Sequence, residues 1–133
     1  MNKIIISLIF AVFIFVVPGI RAQNWQKRVS MANGSEKVVP GFGIKIKFLD
    51  VIEDSRCPKG QTCIWAGNAK VQVQVFAGRR ASTFEINSSL SPQTATIGGY
   101  EIRLESLDPR PDTARRPDKG RYVAVFAVRK LPK

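Results

Sequence analysis

The stretch FGIKIKFLDV, residues 42–51, decides the fold class of this chain. Every second residue at its start is apolar, and these residues are Phe42, Ile44, Ile46 and Phe48. Lys45 and Lys47 stand between them. Because successive side chains of a β-strand point to opposite faces, this alternation puts apolar groups on one face and charges on the other. The stretch therefore predicts a half-buried β-strand.

A β-hairpin is predicted further along the chain. Residues 70–76 place three valines on one face of a strand, with glutamines between them. The segment AGRR, residues 77–80, follows directly and is short enough for a tight turn. It would join the first strand to a second one over residues 82–86.

The remaining segments complete the strand pattern. Residues 88–99, SSLSPQTATIGG, predict irregular chain. Residues 100–105 alternate between apolar and charged side chains, which predicts a strand with one face exposed to solvent. Residues 108–120, DPRPDTARRPDKG, contain three prolines and predict an exposed connection. Residues 121–129, RYVAVFAVR, are apolar at almost every position and predict a central strand buried on both faces.

The pattern as a whole predicts an all-β protein. Six to eight short strands fit into the chain, and no segment after residue 22 shows the 3.6-residue period of an amphipathic helix. We expect a single antiparallel β-sandwich of six to eight strands with one disulfide, and a small β-barrel is the alternative.

Residues 1–22 have the composition of a secretory signal peptide. They begin with MNK and continue with an apolar run of 14 residues, 4–17, in which Ser7 is the one polar residue. This run is shorter than the ~18 residues that a membrane-spanning helix needs. A break at Pro18 and a small residue at Ala22 complete the signal pattern, so we expect cleavage after Ala22 and no transmembrane anchor afterwards.

Cleavage would leave one basic domain, residues 23–133. Its 111 residues suffice for a single modest core. The full chain has 21 basic and 10 acidic residues, and loss of Lys3 and Arg21 with the signal leaves a net charge of +9. This charge favours contact with anionic polymers or surfaces, although scattered surface lysines and arginines that only keep the protein soluble would give the same total.

Both cysteines of the chain lie close together at Cys57 and Cys63. In an exported protein such a pair is expected to be oxidised, and the bridge would clamp the crossover between two strands. A zinc site needs four ligands, usually from cysteine and histidine. The chain has two cysteines and no histidine, so it does not supply them. A redox site would need the Cys-x-x-Cys spacing, which is absent. We therefore expect no metal and no cofactor.

The absence of histidine also restricts catalysis. It excludes a Ser-His or Cys-His nucleophile pair and an imidazole base. A catalytic pair of carboxylates is not indicated either, because Glu53 and Asp54 are adjacent and would point to opposite faces of a strand. No glycine-rich phosphate loop follows the signal segment. The sequence therefore predicts a protein that is not an enzyme.

Two residues of the cysteine segment are candidate contact residues. Lys59 stands between Pro58 and Gly60, as a basic residue does in a constrained protease-inhibitor loop, although a plain turn with a solvated lysine would look the same. Trp65 is expected to pack over the disulfide or the end of the sandwich, with an exposed ligand-stacking role as the alternative.

The segment around these residues resembles a known group of proteins. Residues 48–76, FLDVIEDSRCPKGQTCIWAGNAKVQVQVF, are similar to a group of small, mostly uncharacterised exported bacterial proteins. Its members share Glu-Asp-Ser-Arg-Cys-Pro, then Cys-x-Trp-Ala-Gly, then an alternating strand. The resemblance implies a periplasmic or secreted location and adds no activity. Members are often lipoproteins, whereas this chain has Ala22-Gln23 where a lipidated cysteine would stand.

The sequence leaves three functions open. The first is a non-catalytic envelope or secreted module that binds a protein or polymer through loops at one end of the sandwich. The second is a protease inhibitor that uses Lys59. The third is binding of an anionic polymer by six basic residues, without specific reading of nucleic acid because no interleaved aromatic residues accompany them. These residues are Arg79, Arg80, Arg115, Arg116, Lys119 and Arg121.

The predicted disulfide can be tested directly. The intact mass of the purified protein should be lower by two hydrogens than that of the reduced chain. Cys63→Ser should lower the free energy of unfolding by about 2 to 4 kcal/mol, because the open loop gains entropy in the unfolded chain. Thiols that can be alkylated in the freshly purified native protein would contradict the prediction.

Overall fold

A computed structural model describes residues 26–112 and 117–133 of the chain, and these residues form a β-sandwich. The described part contains eight strands and one short 3₁₀-helix. The strands are β1 (Lys27–Ala32), β2 (Glu36–Val39), β3 (Ile44–Asp54), β4 (Ala69–Ala77), β5 (Arg80–Asn87), β6 (Thr94–Ile97), β7 (Tyr100–Asp108) and β8 (Val123–Lys130). The 3₁₀-helix, Lys119–Arg121, is the one helix of this part and is too short to cross a membrane.

The strands form two antiparallel sheets of four. One sheet has the order β1-β8-β7-β6, and the other has the order β2-β3-β4-β5. The chain passes to the second sheet after β1 and returns to the first sheet after β5. Neighbouring strands therefore follow one another in sequence, except that β1 lies beside β8. No closed barrel forms, and the predicted sandwich is confirmed.

The core lies between the two sheets and follows from the alternation in the sequence. In β3 and β4 the apolar members of the period-2 pattern are buried, and the lysines and glutamines between them are not. The rings of Phe48 and Phe126 meet edge to face across the sandwich with centroids 5.7 Å apart. An edge-to-face pair adds to the burial of both rings, so this contact links the two sheets at the centre of the core.

The predicted strands are present, and three more accompany them. The hairpin over residues 77–80 is confirmed, because Ala77 pairs with Arg80 at the end of β4 and β5. β1 and β2 were not predicted. β6 lies inside the stretch that the sequence analysis took as irregular, where Ala95 and Ile97 are buried between exposed threonines. Its four residues are too few for a clear period-2 signal beside Ser and Pro.

The prediction for β8 is correct in position and correct only in part for burial. β8 is a central strand between β1 and β7, and its inward residues Ala124, Phe126 and Val128 are fully buried. On its outer face Ala127 is buried and Val125 is half-buried, but Val123 is 40% exposed. The apolar run therefore overstates the burial at the start of the strand, because within residues 26–112 and 117–133 no second layer covers the outer face of this sheet.

The two ends of the sandwich differ in construction. At one end lie the short turns 40–43, 78–79 and 98–99, which join neighbouring strands. We call this the turn end. At the other end lie residues 55–68 with the two cysteines, and residues 109–112 and 117–122 between β7 and β8. We call this the disulfide end. The predicted signal peptide, residues 1–22, falls outside the described part.

Candidate binding loop

The segment between β3 and β4 forms a loop that is closed by the predicted disulfide. Cys57 and Cys63 are bonded, with their Cα atoms 5.8 Å apart. The crossover that the sequence analysis expected is not formed, because β3 and β4 are hydrogen-bonded neighbours in one sheet. The pairing continues past the strands, since the Ser55 N–H donates to the Asn68 carbonyl at 2.8 Å. We call residues 57–67 the disulfide loop.

The base of the disulfide loop is held by a buried ion pair. The Asp54 side chain is 0% exposed, and the side chain of Arg56 is 14% exposed. Arg56 donates from Nε to Oδ1 and from Nη2 to Oδ2 of Asp54, both at 2.8 Å. The Tyr122 hydroxyl donates to Asp54 Oδ2 at 2.8 Å. The carboxylate thus joins the end of β3 to the start of β8 in the opposite sheet.

Arg56 extends this connection to a third segment. Its Nη1 donates to the Leu107 carbonyl, and its Nη2 donates to the Pro109 carbonyl at 3.0 Å. The backbone N–H of Lys59 donates to the Pro111 carbonyl at 3.1 Å. The disulfide loop is therefore fixed to the chain that leaves β7. Bidentate pairing of this kind restricts both direction and distance, which gives the loop base one geometry.

Two buried asparagines hold the other side of the loop base. Asn68 and Asn87 are each 3% exposed. Asn68 Nδ2 donates to Asn87 Oδ1 at 2.9 Å, and Asn87 Nδ2 donates to the Pro92 carbonyl at 3.0 Å. Asn68 Oδ1 accepts the Ser89 N–H at 3.2 Å. Because buried amides are costly unless bonded, this arrangement fixes the chain after β5 against the loop.

Gly67 allows the close approach of the two chains that leave the loop. Its φ is +67°, in the left-handed region that side chains disfavour. A Cβ at this position would lie 1.9 Å from the Ser55 carbonyl oxygen, which is a backbone atom and cannot turn away. The glycine at position 67 of this chain therefore has a structural reason.

The expected burial of Trp65 is wrong. Its side chain is 79% exposed, and that of the neighbouring Ile64 is 93% exposed. The place that Trp65 was expected to cover, at the end of the core, is occupied by Tyr122, which is fully buried. The disulfide loop therefore presents two adjacent apolar side chains to solvent. The alternative of an exposed contact residue, which the sequence analysis left open, fits this geometry.

Lys59 lies on the same loop but in a different conformation from an inhibitor residue. It is exposed and stands in a turn, in which the Gln61 N–H donates to the Pro58 carbonyl at 3.2 Å. Its own N–H is already bonded to Pro111. A segment that adds to the strand edge of a protease needs an extended backbone with open hydrogen-bonding groups. The lysine side chain can still make a charged contact beside Trp65.

The two arginine pairs of the sequence analysis do not form one described cluster. Arg79 and Arg80 lie in the β4–β5 hairpin at the turn end, and both are exposed. Arg115 and Arg116 lie outside the described residues. The disulfide and the Arg79–Arg80 pair are thus separated by the length of the sandwich, whereas Cys57, Cys63, Lys59 and Trp65 share a loop.

Two hollows lie on the surface of the described part, and they differ in their relation to the loop. One of about 420 Å³ lies beside the disulfide loop, lined among others by Cys57, Ala66, Gly67 and Leu107. The other, about 590 Å³, lies against β7 and β8. Its charged lining is satisfied in part by internal pairs such as Arg129 with Glu101 at 2.8 Å, so we assign no site to it.

No protein-family model, curated protein or solved structure matches this chain. The resemblance carried by residues 48–76 therefore stays a prediction. The structure explains why its residues occur together, since Asp54, Arg56, Gly67 and Asn68 all hold the loop base.

The role of Gly67 predicts a large difference between two glycine substitutions. Gly67→Ala should lower the free energy of unfolding by more than about 2 kcal/mol, because it combines a disfavoured φ with a backbone clash. Gly78→Ala is the matched control: its φ is +60°, but nothing lies within 4 Å of a Cβ there. It should cost only about 1 kcal/mol. Chemical denaturation of both variants measures the difference, and equal losses would contradict the proposed close approach.

The ion pair predicts a dependence of stability on pH. Burial favours the neutral acid, but the hydrogen bonds from Arg56 and Tyr122 and the charge of Arg56 outweigh it, so the pKa of Asp54 lies below its ordinary value. A carboxyl group whose pKa is lowered in the folded state stabilises the protein above its unfolded pKa, about 3.9, and this contribution is lost as pH falls through the folded value.

Asp54→Asn removes this contribution and isolates it. At pH 7 the variant should be less stable than the wild type by about 3 kcal/mol, because Arg56 keeps a buried charge without its partner. The difference should shrink as the pH falls below about 4. Asp50→Asn is the control, since its Lys119 partner is 62% exposed and the pair is worth about 1 kcal/mol or less. A loss for Asp54→Asn that does not change with pH would contradict the electrostatic role.

Proposed function

We propose that this protein is an exported, non-catalytic binding module that holds a partner protein through Ile64 and Trp65. The observation that carries the proposal is their joint exposure, 93% and 79%, directly after Cys63, which closes the disulfide ring of residues 57–63. Exposed large apolar side chains are ordinary when they are scattered. Here two adjacent ones follow a covalently closed ring on a rigid loop base, and a paired apolar exposure of this kind favours an interaction site.

The chemistry of the tip favours a protein as the partner. Tryptophan is among the residues that contribute most to protein interfaces, because it buries a large area and keeps an N–H for a hydrogen bond. Lys59 on the same loop supplies a charge for the rim of such an interface. The hollow of about 420 Å³ beside the loop offers a place for a side chain of the partner.

The rigidity of the loop base supports the same proposal. Association loses free energy whenever a flexible segment must be ordered. The disulfide and the hydrogen bonds of Arg56 and Asn68 order the loop before any partner arrives. The exposed pair can therefore contribute its full apolar area to binding. Export is consistent with the disulfide, which forms in oxidising compartments.

The inhibitor hypothesis is retained as the alternative, with less support. Its residue, Lys59, is accessible and lies on a closed loop, as the hypothesis requires. Its backbone N–H is occupied by Pro111, and the turn at Gly60, with φ of +81°, is not extended. An inhibitor would therefore have to release this contact on binding, which costs binding free energy.

The proposal can be tested by site-specific cross-linking. A photoreactive side chain at position 64 should give a discrete protein adduct in cells that produce and export the protein. The same group at Val38 is the control, because that residue is also apolar and 62% exposed but lies on β2, away from the loop. Once the partner is purified, Trp65→Ala should weaken its binding at least about thirtyfold, the loss of a hot-spot residue. Val38→Ala should leave binding unchanged.

Two results would count against the proposal. Equal adducts from positions 64 and 38 would show that the loop is only exposed surface. A tight complex with a trypsin-like protease that is lost in Lys59→Ala but kept in Trp65→Ala would favour the inhibitor alternative. Both variants should keep the thermal stability of the wild type, because both side chains are exposed and touch little of the core.

A further inference from the structure

The turn end of the sandwich gathers cations that are far apart in the sequence. Arg79 and Arg80 lie in the β4–β5 hairpin, Lys27 begins β1 and Lys130 ends β8. All four are exposed. Each of the two sheets contributes two of them, so the positive charge covers the whole width of this end.

Backbone contacts bring these elements together. A Cβ built on Gly98 would lie 2.9 Å from the Cβ of Ala77, so the β6–β7 turn touches the hairpin that carries the arginines. The Leu131 N–H donates to the Gly99 carbonyl at 2.8 Å, which places Lys130 beside the same turn. Lys27 pairs with Val128 in the neighbouring strand. We call Lys27, Arg79, Arg80 and Lys130 the basic end.

The cations of the basic end differ from six other cations of the described residues, which form ion pairs, and resemble Lys47, Lys59 and Arg103, which form none there. Arg28, Lys45, Arg56, Lys70, Lys119 and Arg129 all form ion pairs within 4 Å. No ion pair to the basic end occurs among residues 26–112 and 117–133. Glu101 lies nearby on β7, but Arg129 Nε binds it at 2.8 Å. The charge of the basic end is therefore left for a ligand or for solvent.

The acidic residues are concentrated at the opposite end of the molecule. Six of the ten lie at the disulfide end or in direct contact with it, namely Asp50, Glu53, Asp54, Asp108, Asp112 and Asp118. The stretches that hold them, residues 50–59 and 108–121, also contain seven basic residues, so the charges there nearly balance. The basic end has no such balance, and its positive field is not cancelled locally.

We propose that the basic end binds an anionic polysaccharide along its sulfate, phosphate or carboxylate groups. Neighbouring strands are about 4.8 Å apart and the two sheets about 10 Å, so the four cations extend over roughly 15 Å. A row of this length fits the repeated charges of a polymer better than a single small anion. Arginine and lysine bind such groups by charge-assisted hydrogen bonds.

A polysaccharide is favoured over a nucleic acid by the aromatic residues of this end. Single-stranded nucleic acids bind through bases that stack on exposed aromatic rings. Phe42 and Tyr100 are the aromatic residues of the turn 40–43 and of the β7 start, and both are packed against the core. Their ring centroids are 5.2 Å apart, so each ring covers a face of the other. Phe76, beside the hairpin, is half-buried, and Lys45 Nζ lies 4.6 Å from its ring centroid, so this ring is already used in a contact within the protein.

This site does not depend on the loop proposed to hold a partner protein. The two lie at opposite ends of the sandwich, joined by strands such as β3 and β4. Either proposal can fail without the other. Trp65→Ala should leave polysaccharide binding unchanged, and substitutions at the basic end should leave partner cross-linking unchanged.

The test uses heparin as the polysaccharide and two arginine pairs of the same chain. Arg79→Gln/Arg80→Gln removes two charges from the basic end. Arg115→Gln/Arg116→Gln removes the same two charges from the segment between β7 and β8 and is the matched control. Binding is measured from about 50 to 200 mM salt, where contacts with a polyanion weaken steeply as counterions compete. A duplex DNA of similar length is the second probe.

We expect the Arg79/Arg80 variant to lower the slope of log affinity against log salt by about 1 to 2, one unit for each lost contact. The Lys27→Gln/Lys130→Gln variant should act in the same direction, and the Arg115/Arg116 variant should bind like the wild type. Equal losses from the two arginine pairs would overturn the proposal, since total charge alone would then explain binding. Tighter and less salt-sensitive binding to DNA than to heparin would overturn it in favour of a nucleic-acid site.

Discussion

The buried carboxylate of Asp54 is the contact on which the disulfide end of this protein depends. It receives three hydrogen bonds from Arg56 and one from Tyr122, so one side chain joins both sheets and the base of the disulfide loop. A buried ion pair is not by itself a source of much stability, because both charges lose their hydration. Its value here is geometric: with both partners fully bonded, the segments that meet at Asp54 have one arrangement rather than several.

This constraint divides the segment around the cysteines into a support and a displayed tip. The acidic, basic and small residues of the segment, which would suggest a catalytic or binding site when read from the sequence, hold the loop base together. They are Asp54, Arg56 and Gly67. What remains accessible is Ile64, Trp65 and Lys59. A loop built in this way has few groups left for catalysis and a large area left for contact, which is the physical basis for proposing a binding module.

The sequence predicts the fold well where one face is buried and the strand is long. The valines of β4 and the apolar residues of β3 fix which face of each strand is buried, because a shift of the strand register by one residue would expose them all. β6 is not predicted because its four residues are too few to show a clear alternating pattern. The site is harder to predict, since Tyr122 lies 68 residues from Asp54 and no local pattern connects them. The burial predicted for Trp65 is wrong because hydrophobicity predicts burial in general, and Trp65 is an exposed exception.

The separation of the two candidate sites follows from the same architecture. Antiparallel strands of about nine residues, such as β4, place the turns at one end and the longer loops about 30 Å away at the other. The turns are short and carry cations brought together by strand pairing, as with Lys27 beside Val128, while the loop between β3 and β4 carries the exposed pair Ile64 and Trp65. If the basic end lies on an anionic polymer, the sandwich stands between that polymer and the disulfide loop. Ile64 and Trp65 then point away from the polymer, so that a partner protein can reach them without displacing it.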